Sequence, residues 1–278
     1  MKLSVAISGK DAMPSTFVVW RGFEESIRKA SEYGYHGVEL ALKTAEEIEP
    51  AALSQWLGRH GMEVSCISTG QVYAALDLYF THPDKEIREK VIGVFTGLIE
   101  LAADFGGLVN IGRARGFIGK GQTPGEAEAL FADTADRICG IAGKKGVSLV
   151  LEPVNRYEIN FINNLDEGRQ LLARLNFSNL GLMPDVFHMN IEDDRLGDSL
   201  ARNASKIRYI HLADSNRLAP GSGHIDFREV FEGLKAAEFD GWAAIEILPV
   251  PDPDTAARSA AEYILPMLEH YNKIPKHG

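Results

Sequence analysis

The sequence reads as an α/β chain folded into a single (β/α)8 barrel over residues 1–278. Three observations predict it. Short runs rich in Val, Ile and Leu alternate with longer amphipathic segments from end to end, and the runs begin about 25 to 45 residues apart. No Ser/Gly-rich linker or shift of composition divides the chain. The third is a missing feature: an open doubly wound sheet would usually carry a Gly-rich phosphate turn after its first strand, and Ser8-Gly9-Lys10-Asp11 supplies none.

The strand candidates are Leu3–Ser8, His36–Leu40, Glu63–Ser68, Gly107–Gly112, Val147–Glu152, Leu180–Asp185, Ile207–Leu212 and Trp242–Ile247. Each is a near-continuous apolar run, as expected of parallel strands covered on both faces. Helical spacing fills the intervals. Phe23, Ile27, Ala30 and Tyr33 make one apolar stripe, and Ile87, Val91, Val94, Leu98 and Leu101 make another. Ala127–Ile141, Leu165–Leu175, Phe227–Leu234 and Ala256–Leu268 continue the series. Thr123-Pro124 followed by Glu126 suits a helix start, Asn164 or Asp166 suits the next, and Asp226 a later one. Gly34, Gly61, Gly106 and Gly146 follow helical stretches and suit left-handed C-terminal positions.

Composition narrows the function. Lys plus Arg is 29 against 39 for Asp plus Glu, a formal charge of −10. Such a surface repels a polyphosphate backbone, so a nucleic-acid partner is not expected. No apolar run approaches the ~20 residues that span a bilayer, and the N-terminus lacks a signal-peptide pattern. Cys66 and Cys139 are too few for a disulfide framework or a thiolate cage. The expectation is a soluble cytoplasmic enzyme without a membrane partner.

In a barrel of this kind the C-terminal strand ends build the active site. Four consecutive runs deliver Glu152, Asp185, His211 and Glu246 to that rim. Three carboxylates crowded together raise one another's pKa unless a cation compensates them, and a divalent metal removes the conflict. Three oxygens and one nitrogen suit Mn²⁺, Mg²⁺ or Co²⁺, with Zn²⁺ also admissible.

Three segments then carry a resemblance. Leu151-Glu152-Pro153-Val154-Asn155-Arg156-Tyr157-Glu158, Asp185-Val186-Phe187-His188-Met189-Asn190-Ile191-Glu192 and His211-Leu212-Ala213-Asp214-Ser215-Asn216-Arg217 resemble signature segments of the ketose 3-epimerases, within the xylose-isomerase-like barrel superfamily. The resemblance implies that Glu152, Asp185, His211 and Glu246 hold one divalent metal, usually Mn²⁺ in this family. It further implies that Glu158, His188 and Arg217 contact a keto-sugar, and that a homodimer or homotetramer is common. Gly70-Gln71-Val72-Tyr73 and the segment from Ala213 to Gly221 are most similar to epimerases of keto-hexuronates such as 5-keto-L-gluconate.

The residues lead to the same chemistry. Inverting a carbon beside a ketone needs removal of a C–H proton and its return on the other face, which two facing carboxylates, Glu152 and Glu246, can share. His188 and Arg217 can donate to the oxygen that becomes negative. Glu158 lies in the loop, where it orients His188, meets a terminal hydroxyl, or forms a salt bridge with Arg156. After the fourth run, Arg113 reads as a surface charge, whereas Arg115 is expected over the pocket, where its guanidinium would take a substrate carboxylate and so favour a keto-sugar acid. Cys66 is expected to line the pocket or to act as a small hydrophobe. Phe17 and Trp20 read as pocket wall or packing. Glu192-Asp193-Asp194 and His277 read as solvated surface. An aldose–ketose isomerase, a non-catalytic sugar binder and a DNA-repair endonuclease are the rival readings. The last needs further His ligands where this chain has Ser68-Thr69-Gly70 and Ile111-Gly112-Arg113.

Overall fold

A computed structural model describes residues 1–273, so His277 lies outside the described residues. Nine strands form one sheet: β1 (Lys2–Ser8), β2 (Trp20–Arg21), β3 (Gly37–Ala41), β4 (Glu63–Ser68), β5 (Leu108–Ile111), β6 (Ser148–Leu151), β7 (Leu180–Leu182), β8 (Tyr209–Leu212) and β9 (Trp242–Ile245). All pairings are parallel, in the order β7-β6-β5-β4-β3-β1-β9-β8, with β2 paired to β1. β2 is an addition to the eight expected runs, a two-residue return of the first loop alongside Ile7 and Ser8. The circle closes between β7 and β8 through two isolated bridges, Leu182 with Ile207 and Asp185 with His211. The fold is thus a nearly closed eight-stranded (β/α)8 barrel.

The helices are α1 (Phe23–Glu32), α2 (Pro50–His60), α3 (Gly70–Leu76), α4 (Lys85–Asp104), α5 (Pro124–Lys144), α6 (Leu165–Leu175), α7 (Val186–Glu192), α8 (Leu196–Asn203), α9 (Phe227–Ala236) and α10 (Pro253–Lys273). Their starts follow the chain's own signals. Thr123 and Glu126 form a reciprocal capping box at α5, Asn164 rather than Asp166 caps α6, and Asp226 caps α9. At Gly106 the backbone has φ +81°, and a Cβ would lie 2.4 Å from the Val64 carbonyl, so only glycine fits this return into β5.

Apolar side chains fill two layers. The larger lies between strands and helices, with Ile27, Leu98, Phe131 and Leu234 fully buried. A small inner cluster of Cys66, Val150, Met183, Tyr209 and Ala244 plugs the barrel. Between β3 and β4 the register skips Ser65. This bulge lets Ser65 bond the Tyr209 hydroxyl (2.7 Å) and Ser4 (2.8 Å) while Cys66 also enters the inner cluster. Cys66 therefore sits in the barrel plug, outside the lining of the pocket, and behaves as the small hydrophobe. Burial, with the Glu39 charge nearby, pushes its thiol well above the usual range.

Candidate active site

Each polar side chain at the rim is delivered by a strand end. Glu152 follows β6, Asp185 follows β7 and caps α7, His211 lies in β8, and Glu246 follows β9. Asp185 divides its oxygens: Oδ1 accepts from the Phe187 amide (2.9 Å), and Oδ2 faces the His211 ring (3.7 Å). One ligand atom from each of Glu152, Asp185, His211 and Glu246 lies within 4.8 Å of all the others.

His211 organises this cluster. Its Nε2 lies 2.9 Å from Oε2 of Glu39, a carboxylate with no exposed surface. Its Nδ1 has no hydrogen-bond partner, although Glu152 Oε1 and Glu246 Oε2 stand at 3.4 Å and Asp185 Oδ2 at 3.7 Å. A buried ring nitrogen without a partner, surrounded by three carboxylates, is the arrangement a divalent cation completes. With a cation there, Glu39 would be the outer partner that orients the imidazole. Asn110 does the same for Glu152, donating to its Oε2 at 3.2 Å. Gly112 makes room for this contact, since a Cβ there would lie 2.9 Å from both Asn110 Oδ1 and Glu152 Oε2. Neither Glu39 nor Asn110 belongs to a strand-end acid or a signature segment, although a glutamate inside the apolar Val38-Glu39-Leu40 is a visible signal.

Electrostatics separate the acids. Burial pushes the Glu152 carboxyl up, against the pull of His211. Burial opposes ionisation at Glu246 and Asp185 too, but His211 and Arg217 at the first, and Arg217 and His188 at the second, outweigh it and hold both carboxyls down. Burial disfavours the charged His211 ring, yet Glu39 and Glu246 drive its pKa up. Three carboxylates around one imidazole leave a deficit of positive charge, and Arg217 supplies part of it. Its Nη1 donates to Asp185 Oδ2 at 2.5 Å and its Nη2 to Glu246. Phe17 and Phe187 sandwich the guanidinium at 4.8 and 4.9 Å. Phe17 is thus pocket wall, whereas Trp20 packs on Tyr33 and bonds Asp254.

A cleft open to solvent at its mouth lies over this cluster. Glu152, Glu246, Glu158, His188, Arg113 and Arg217 line it. Arg156 does not pair with Glu158; it takes Glu192, whose side chain is largely enclosed instead of solvated. Asp193 is likewise tucked in, bonded to Ser199 at 2.5 Å, while Asp194 is exposed. Glu158 is left to face Asn155 (3.2 Å) and Arg113 (3.9 Å).

Arg115 departs from expectation. It is fully buried and outside the cavity, donating to the carbonyls of Phe161 and Ile162 at 2.8 Å each, to Gly112, and to Glu152. Burial lowers its guanidinium to about 10, still charged at neutral pH. The reason is local geometry. Arg113–Arg115 forms a 3-10 turn. With three residues per turn, side chains two positions apart point to different sides. Arg113 therefore reaches the cavity and Arg115 turns into the protein.

Comparison with known proteins agrees with this architecture. A family model described as xylose isomerase-like TIM barrel matches residues 27–267. A ketose 3-epimerase of Arthrobacter globiformis is 30% identical over 81% of this chain and 77% of its own length. The 3-dehydro-D-guloside 4-epimerase of Escherichia coli is 34% identical over 49% of this chain, and the match spans about half, 52%, of that protein. The crystal structure of 3-keto-D-glucoside 4-epimerase from E. coli superimposes with a TM-score of 0.81 over 96% of this chain and 99% of that one, at 23% identity. With strand order, rim chemistry and sequence in agreement, the chain belongs to the xylose isomerase-like TIM barrel family and, within it, to the sugar epimerases.

Proposed function

We propose that this enzyme is a divalent-metal-dependent epimerase that inverts a carbon beside the ketone of a keto-sugar through an enediolate. The observation that carries the proposal is the convergence of Glu152, Asp185, His211 and Glu246 on one point, with Glu152 and Glu246 also lining the cavity. A divalent ion held there, with Mn²⁺ or Co²⁺ suited to three oxygens and one nitrogen, supplies Lewis-acid stabilisation of negative charge on substrate oxygens. The chain's own residues do the rest. Glu152 and Glu246 enter from strands on different sides of His211, so one removes the proton from one face and the other returns it to the opposite face. Arg217, fixed between two aromatic rings, and His188 donate to the oxygen that gains charge. Glu158 holds a hydroxyl of the sugar.

Deuterium wash-in tests the proposal. In D₂O with Mn²⁺, label is expected at the carbon that inverts, and exhaustive chelation abolishes it. Label at C1 or C2 with aldose product would instead identify an aldose–ketose isomerase, and full turnover after chelation would remove the metal from the mechanism.

A second reading concerns substrate charge. With Arg115 committed to backbone carbonyls, recognition of a carboxylate passes to Arg113, which lines the cavity with Glu158 Oε2 as its ionic neighbour at 3.9 Å, beyond hydrogen-bond length. Arg113→Ala is expected to raise KM for a keto-sugar acid about tenfold or more and to change a neutral ketohexose little, the scale of one charged hydrogen bond. Equal losses for both would assign Arg113 to hydroxyl recognition.

A further inference from the structure

Asn155 lies in the loop after β6 and is 2% exposed. Its Oδ1 accepts from the Tyr157 amide at 3.0 Å, closing an Asx turn. Its Nδ2 reaches two acceptors, Glu158 Oε1 at 3.2 Å and the His188 ring at Nδ1, 2.7 Å away. This amide has one workable orientation. Turned over, its NH₂ would meet the Tyr157 N–H, donor against donor, and its oxygen would meet the Glu158 carboxylate, acceptor against acceptor. Two contacts outside the imidazole therefore fix the amide and place a donor against Nδ1. A proton on Nδ1 would face that donor at hydrogen-bond distance, so Nδ1 is the acceptor and Nε2 carries the hydrogen. Nε2 is on the cluster side of the ring, 3.9 Å from Asp185 Oδ2, and His188 lines the cavity.

We infer that Asn155 is a positioning residue that holds His188 in the neutral Nε2–H form, so that the ring presents a fixed donor to the substrate and no acceptor. The inference rests on the reading of His188 as a substrate-facing donor, and extends it to the residue that sets the donor. One buried amide also ties His188 to Glu158, so two cavity side chains are placed by one group.

The tautomer is directly observable. In ¹⁵N-histidine-labelled enzyme loaded with diamagnetic Mg²⁺, long-range ¹H–¹⁵N spectra distinguish a protonated from an unprotonated ring nitrogen, and His188→Asn identifies the His188 signals by their loss. Wild-type enzyme is expected to show Nδ1 bare and Nε2 protonated. Asn155→Asp replaces the donor with an acceptor of the same shape, and is expected to draw the hydrogen to Nδ1. Its kcat should fall by about 10²–10³, the loss of one donor to a developing oxyanion, with a smaller change in KM. Asn155→Ser keeps an acceptor for the Tyr157 amide but offers Nδ1 no fixed donor; His188 should then show a mixture of tautomers even if Asn155→Asp does not fold. A hydrogen on Nδ1 in wild-type enzyme, or a His188 pattern unchanged in the variants that fold, overturns the inference. The spectra need no substrate, so this outcome is independent of whether any keto-sugar is turned over.

Discussion

Two arginines, each in a loop after a strand and each buried, answer opposite questions. Arg115, after β5, bonds only neutral carbonyls: its fork gathers Phe161, Ile162, Gly112 and Glu152 backbone oxygens and so ties the turn after β5 to the loop after β6. Arg217, in the loop after β8, bonds the carboxylates of Asp185 and Glu246 and lines the cavity. The one is held by geometry and the other by charge. Burial draws the first guanidinium down, while the carboxylates beside the second outweigh burial and drive it up. The kind of partner, carbonyl or carboxylate, separates a clasp of the scaffold from a member of the site.

The comparison breaks most sharply on Arg115→Met. It leaves several buried carbonyls without donors, and a loss of roughly 3 kcal/mol or more in urea unfolding is expected. Saturating Mn²⁺ should raise this variant and the wild type by nearly the same amount, because the clasp bonds backbone carbonyls and none of the cluster's carboxylate oxygens. Arg115→Lys should recover little, since an ammonium cannot reproduce the fork. Arg217→Met should behave the other way. Turnover falls by about 10² or more, as for removal of an oxyanion donor. Its stability drops in chelated protein, where two carboxylates lose their cation, and recovers disproportionately with metal, a linkage worth about 2.7 kcal/mol at one hundred times Kd. If metal rescues both variants alike, the distinction between the arginines fails.

The smallest effect sharpens how Arg217 is held. Arg217 has φ +61° and its amide bonds the Asp214 carbonyl at 2.8 Å. The Asp214 carboxylate in turn accepts from the amides of Ser215, Gly221 and Ile225. Burial opposes its charge, but these backbone donors prevail and keep its carboxyl below the ordinary value. A depressed carboxyl stabilises the fold above its unfolded pKa, and that contribution is lost as pH falls through the folded value. Wild-type stability should therefore decline on acidification below about pH 4. Asp214→Asn should flatten that decline and cost about 1 kcal/mol at neutral pH, read by urea titration at several pH values.

The difference between the arginines also marks where the sequence could be read. Strand ends were legible because an acid closing an apolar run stands out, and Glu152, Asp185 and Glu246 follow that rule. Glu39 obeys the same logic in mid-strand, where its partner is a histidine 172 residues away and no local pattern names it. Asn155 stands in the Leu151–Glu158 segment, but its role depends on a fold-dependent meeting with a ring 33 residues further on. Arg113 and Arg115 exchange the places expected of them, because the 3-10 turn that sends them apart leaves no periodicity in three residues. Cys66 was displaced by a bulge at Ser65, which alters which side chains face inward without altering the apolar run.

One feature of the barrel wall reaches beyond the reaction. β7 and β8 meet through two isolated bridges, and the second joins Asp185 to His211, so a thin stretch of the wall runs between two members of the acidic cluster. Amide deuteration should begin its spread there: the Arg208 and His211 N–H groups, which cross to Leu182 and Pro184, exchange by small openings, while those in the middle of β1 wait for global unfolding. A cation joining Asp185 to His211 would then act as a rivet for the wall, and slowed exchange at those two amides would count its occupancy without any substrate at all.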